Sequence, residues 1–150
     1  MYPASSNRTT RSPAAVKLFT PALANRTLPL VRSIVDDILE KAKELRGKTA
    51  LSRDPEVDDE LESIQQEILG LMEELESLGC TYKDWDFEVG LVDFPARIGG
   101  QEVLLCWRSD EPAVRYYHTP EGGFAAREPI PDDLLEDLED GRFRAVLSMA

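Results

Sequence analysis

Six side chains between residues 93 and 127 could do more than fold this 150-residue chain: Asp93, Cys106, Arg108, Arg115, His118 and Arg127. His118 is the sole histidine, Cys106 is one of two cysteines, and the four arginines of Gly90–Arg127 are among six basic residues after Lys83, all arginine. Arginine offers a planar fork that matches a carboxylate or phosphate, so a row of them reads as an anion site. A cysteine beside arginines could ionise and become a nucleophile, and a histidine beside it could serve as its base.

Which of these meet depends on register. Short runs of period 2 occur at Val89–Arg97, Glu102–Arg108, Ala113–His118 and Phe124–Arg127, separated by turn residues. Connections this short permit only hairpins, which predicts an antiparallel meander of four strands. Treating Ile98–Gln101 as a four-residue loop pairs Arg97 with Glu102, Pro95 with Leu104 and Asp93 with Cys106. Treating Ser109–Pro112 in the same way pairs Cys106 with Arg115, and a five-residue last turn pairs Arg115 with Arg127.

Register fixes faces. One face then carries Val92, Phe94, Ala96, Val103, Leu105, Trp107, Val114, Tyr116 and His118, and the other Asp93, Arg97, Glu102, Cys106, Arg108, Arg115 and Tyr117. The candidate ligand-binding set is therefore Asp93, Cys106, Arg108, Arg115 and Arg127, with a row Asp93–Cys106–Arg115–Arg127 across the sheet. His118 falls on the opposite face, against a Cys–His nucleophile pair. No catalytic residue is assigned. One histidine and two distant cysteines, Cys80 and Cys106, are not a zinc-ligand spacing, so no metal is expected. Gly99-Gly100 and Gly122-Gly123 read as turns, because no helix start follows either, and no cofactor is expected.

The elements that must hold these strands come earlier. Thr20-Pro21 reads as a cap and first turn of a short helix ending near Asn25; Thr27 caps a second start, with Pro29 in its first turn. Val31, Val35, Ile38, Ala42 and Leu45 form one apolar stripe, widened by Leu30, Ile34 and Leu39. After a loop at Arg46–Asp54, Pro55 opens a second long helix. Its apolar positions Val57, Leu61, Ile64, Ile68, Leu71, Leu75 and Leu78 follow a heptad seam that Gly79 terminates. The expected fold is α+β: a long antiparallel helical hairpin (20–79), a small sheet (80–130) and a short acidic helix (131–141), all one domain over 19–141. Residues 1–18 read as a disordered basic tail and 142–150 as a second tail.

Charge restricts partners. The net charge is −12, with ten acidic and no basic residues between Asp54 and Glu76. Such a surface repels phosphates and anionic lipids, so neither nucleic acid nor membrane is expected as a partner. No apolar run reaches the ~18 residues of a membrane helix. A cytoplasmic location is the default for two unpaired cysteines. The heptad seam and the double stripe hold more apolar surface than one hairpin covers, which predicts a homodimer through the helices.

GLVDFPA (Gly90–Ala96), VLLCWR (Val103–Arg108), Tyr117-His118 and GGFAAREPI (Gly122–Ile130), preceded by FTPALANRTLP (Phe19–Pro29), resemble the bacterial domain of unknown function 2203. Tyr117 stands where tryptophan is expected and Ala126 where glycine is expected. The resemblance implies this architecture and no activity. The function expected is a self-associating, non-catalytic module that binds a small anionic ligand or a protein partner. The alternative is a hydrolase or transferase acting on an anion through Asp93, Cys106, Arg115 and Arg127.

Overall fold

The computed structural model describes residues 17–51, 55–84 and 86–139. Most of the expected basic tail, the centre of the loop between the helices and the segment 140–150 lie outside the described residues. The elements run α1 (Pro21–Leu51), α2 (Pro55–Leu78), β1 (Thr81–Tyr82), β2 (Leu91–Ile98), β3 (Gln101–Arg108), β4 (Tyr116–His118), a 3₁₀ turn (Phe124–Ala126), β5 (Glu128–Pro129) and α3 (Asp132–Glu139). The sheet has five strands in the order β1-β2-β3-β4-β5, each antiparallel to its neighbour.

Thr20 does cap the first helix, accepting the Leu23 N–H at 3.0 Å through Oγ1. The expected break near Asn25 is absent, and one helix runs through Pro29. Proline forfeits one backbone hydrogen bond and crowds the preceding turn. Here packing outweighs that cost, because Ala24, Leu28 and Val31 on both sides of Pro29 are buried in the core. The helix likewise continues past Arg46, shortening the expected loop. Lys41 pairs with Glu67 at 2.8 Å and Lys48 with Glu60 at 3.9 Å, so the two long helices run in opposite senses.

Gly79 ends α2 with φ +101°, a left-handed value that costs glycine nothing. Its N–H bonds the Glu76 carbonyl at 3.0 Å, and the next N–H, of Cys80, reaches back to Leu75 at 3.1 Å. That double bond pattern closes the helix and turns the chain into the sheet. Of the heptad seam, Ile64, Ile68 and Leu75 are buried, joined by Met72, which the heptad count omits. The rest of the seam, Val57, Leu61, Leu71 and Leu78, is only partly buried within the chain.

The core lies between the helices and one face of the sheet. Val31, Val35 and Ile38 of α1 and Leu75 of α2 meet Val92, Phe94, Leu105 and Trp107, all fully buried. Val92, Phe94, Ala96, Val103, Leu105, Trp107 and Val114 occupy the apolar face as expected. Gly90 marks the closest approach of α1, since a Cβ there would collide with Val35 Cγ1. Trp107 donates its indole N–H to the Glu111 carbonyl at 2.9 Å, so its burial leaves no polar atom unpaired.

The first hairpin has the expected register, with Asp93 opposite Cys106 and Arg97 opposite Glu102. Its turn is tighter than four residues: Ile98 pairs with Gln101 around Gly99 and Gly100, whose φ values are +60° and +79°. The second hairpin departs from expectation. Cys106 faces Tyr116 rather than Arg115, and Leu104 faces His118. The strand expected over Phe124–Arg127 is a 3₁₀ turn, and pairing resumes only at Glu128 and Pro129.

The physical cause of the shift is Asn25. Its Oδ1 accepts the Val114 N–H at 2.8 Å and its Nδ2 donates to the Val114 carbonyl at 3.1 Å. One side chain thus takes both hydrogen bonds that a neighbouring strand would take. Val114 stays buried in the core, but Tyr116 and His118 begin a new alternation on the opposite face. Arg32 holds the rest of the connection. It donates to the Ser109 and Glu111 carbonyls at 3.3 and 3.1 Å and lies 4.9 Å over the Trp107 ring.

Candidate metal centre

Three adjacent strands each contribute one side chain to the sheet face away from the helices: Asp93 from β2, Cys106 from β3 and His118 from β4. Asp93 and Cys106 are directly opposed, and His118 sits diagonally across from Cys106, opposite Leu104. All three are buried, and their ligand atoms lie within 4.8 Å of one another. The meander alone would leave this face open to water. The chain after His118 folds back over it: Pro120, Gly123 and Phe124 join Lys83, Leu91 and Leu104 in lining a cavity of about 270 Å³ that the triad also borders.

Hydrogen bonding fixes the state of the imidazole. Nδ1 of His118 lies 2.7 Å from the Thr119 carbonyl, which can only accept, so Nδ1 carries a hydrogen. In the neutral ring Nε2 is then a bare acceptor, yet it faces both Asp93 carboxylate oxygens at 3.3 and 3.2 Å. Two acceptors opposed in a buried site need a positive charge between them, supplied by a proton or by a metal ion. A histidine that donates its far N–H to a backbone carbonyl has the orientation common to metal-bound imidazoles.

Burial pushes the Cys106 thiol up to about 12, with the Asp93 charge adding to the effect and Arg127 opposing it. Without a cation, Cys106 is therefore a neutral thiol at physiological pH. The structure overturns the placement of His118 on the far face and brings it to Cys106, but not as a nucleophile–base pair. A base needs one ring nitrogen for the thiol and the other for its orienting group. Both nitrogens of His118 are already engaged, by Thr119 and Asp93.

The arginine row does not form. Arg115 is exposed and makes no ion pair among the described residues; only its carbonyl is used, by the Ile130 N–H at 2.9 Å. Arg127 is clamped in a bidentate pair with Glu111 at 3.0 and 2.8 Å and lies between the rings of Tyr116 and Phe124 at 4.3 and 4.2 Å. Arg108 approaches Asp110 at 3.2 Å and the Phe124 ring at 5.7 Å. The arginines thus fasten the covering segment to the sheet, with Arg127 reaching the Cys106 carbonyl at 3.5 Å. Two contributors carry no signal of their role in the sequence: Glu111 lies in the turn Ser109–Pro112, and Lys83 lies outside Gly90–Arg127. The polar side chains of the FTPALANRT segment were the available signal for Asn25.

Asp93, Cys106 and His118 supply one oxygen, one sulfur and one nitrogen, a mixture suited to a borderline ion such as zinc. Ligands around tetrahedral zinc stand about 3.3–3.8 Å apart, given bonds of roughly 2.0–2.3 Å. The triad needs to contract by about 1 Å to meet that geometry, a displacement within reach of side-chain rotation. A three-residue set leaves one coordination position, and the cavity borders the same triad.

Comparison with known proteins bears on family alone. Residues 17–130 match the family described as uncharacterized conserved protein (DUF2203), and the chain belongs to that family. No curated protein and no solved structure matches it.

Proposed function

We propose that this DUF2203 protein is a metal-binding protein, holding a single divalent transition ion, zinc by its ligand chemistry, on Asp93, Cys106 and His118. The observation that carries the reading is the pair of facing acceptors, His118 Nε2 and the Asp93 carboxylate, 3.2 Å apart in a buried site with a thiol alongside. Binding displaces the proton of Cys106, a thiol that burial pushes up, because only the thiolate is a ligand. Affinity accordingly rises with pH. Elemental analysis after dialysis against zinc should give one ion per chain, and His118→Ala and Cys106→Ser should each weaken binding at least tenfold. A wild-type chain that retains no zinc, or variants that retain it unchanged, overturns the proposal.

The alternative hydrolase or transferase reading needs Asp93, Cys106, Arg115 and Arg127 to converge, and Arg115 points elsewhere while Glu111 neutralises Arg127. Self-association is a separate proposal. Among the described residues, Leu30 and Leu69 are exposed on the long helices, and Val57, Leu61, Leu71 and Leu78 of the heptad seam are only partly buried, which leaves apolar surface for a second copy. Sedimentation at micromolar concentration tests it, and a monomer there refutes it.

A further inference from the structure

We infer that the fourth ligand of the metal is the carboxylate of a small monocarboxylic acid, seated in the cavity beside Lys83; this rests on the metal reading above. Charge selects the class. A divalent ion with the Asp93 carboxylate and the Cys106 thiolate sums to zero, and neutral His118 adds nothing. Lys83, an exposed residue at the edge of the same cavity, makes no ion pair among the described residues, so one positive charge stands beside the site. A monoanion balances that charge; a dianion such as hydrogen phosphate leaves an excess in a chain already at −12.

The walls select the rest of the ligand. Beyond Lys83 and the triad the cavity is bounded by Leu91, Leu104, Pro120 and Phe124, which suit a short alkyl body and offer no hydroxyl or amide to bind a polyol. Leu104 and Pro120 also line a neighbouring cavity of about 430 Å³, which the charged side chains of Arg97 and Glu102 border together with Leu18 and Pro95. A carboxylate oxygen is a normal zinc donor, and a second carboxylate oxygen directed at Lys83 would complete a charge-assisted hydrogen bond. Phe124, 37% exposed, lines the cavity and supplies an aromatic wall for the alkyl body.

The test uses the full chain loaded with cobalt(II) in place of zinc, whose visible spectrum reports changes in the coordination sphere. Acetate, butyrate, hexanoate and inorganic phosphate are titrated separately. Monocarboxylates should shift the spectrum saturably, with butyrate roughly tenfold tighter than acetate because two more methylenes are buried. Lys83→Ala should weaken butyrate at least fivefold with cobalt stoichiometry unchanged, and Lys83→Arg should restore most of the loss. One cobalt bound per chain with no carboxylate response up to 100-fold over cobalt refutes this inference and leaves the metal reading standing. Phosphate binding more tightly than butyrate refutes the monoanion assignment. No cobalt bound at all refutes both.

Discussion

Asn25→Leu should destabilise the protein well beyond an ordinary half-buried substitution, because one amide replaces an entire strand neighbour. Leucine has similar volume and makes none of the three bonds: to the Val114 N–H at 2.8 Å, the Val114 carbonyl at 3.1 Å and the Pro21 carbonyl at 2.9 Å. Val114 is fully buried, so its N–H and C=O are left without partners. Each such group costs about 1–3 kcal/mol, and partial access of water near the half-buried residue 25 favours the lower end, giving about 2–4 kcal/mol in all. For a chain of this size that lowers the thermal midpoint by roughly 5–12 °C. Asn25→Asp keeps the acceptor for the Val114 N–H but sets a carboxylate oxygen against the Val114 and Pro21 carbonyls, so it should also destabilise the protein. Circular dichroism during heating measures both. The same variant should weaken cobalt binding, because releasing Val114 removes the constraint that turns His118 toward Asp93. An Asn25→Leu midpoint within about 2 °C of wild type would show that this amide does not hold the second hairpin in register.

Gly90→Ala should lower stability by about 1–3 kcal/mol in denaturant unfolding, because the new methyl group collides with Val35 in a packed core and α1 must move; an unchanged midpoint contradicts the close approach. Arg127→Lys keeps the charge and loses the fork to Glu111, whose side chain is 18% exposed against 14% for Arg127. About 1–2 kcal/mol should be lost, with faster exchange of the amides in 119–127, and equal exchange rates in the two proteins would rule out the clamp. Alkaline stability follows from Cys80 and Cys106, both pushed from 9.0 to about 12, by burial first in each case. Their folded-state values lie above the unfolded ones, so the thiols stabilise the fold fully below about pH 9 and that contribution is lost as pH rises towards about 12. Tyr82 is also pushed up by burial and acts in the same direction. Metal-free protein should therefore unfold more readily with each step above pH 9, and Cys80→Ala should flatten the slope; a flat profile in the wild-type chain contradicts the burial of the thiols.

Much of the fold was legible because it rests on local chemistry. The period of 3.6 marks the long helices; the period of 2 marks β2 and β3; Thr20 and Gly79 mark ends. The register of the first hairpin was readable, since a glycine pair between two alternating runs permits few registers, but its turn is two residues shorter than the expected loop. β1, only two residues long, carries no periodic signal at all. Pro29 misled because propensity speaks for an isolated helix, and here both sides of the proline are buried against the sheet.

The site divides in the same way. Sequence alone placed Asp93 and Cys106 as neighbours on one face, because pleating and a short glycine turn leave few arrangements. Tertiary structure decided that His118 joins them. Alternation read from Val114 puts His118 in the core, and only a side chain 89 residues away, Asn25, intercepts Val114 and restarts the alternation on the other face. Tertiary structure also turned the arginines from a ligand row into clamps, because a guanidinium takes the nearest carboxylate, and Glu111 reaches Arg127 only after the loop has closed. Hydrogen bonds between residues distant in the chain leave no local periodicity, which is why the second hairpin and the third member of the triad were decided by packing.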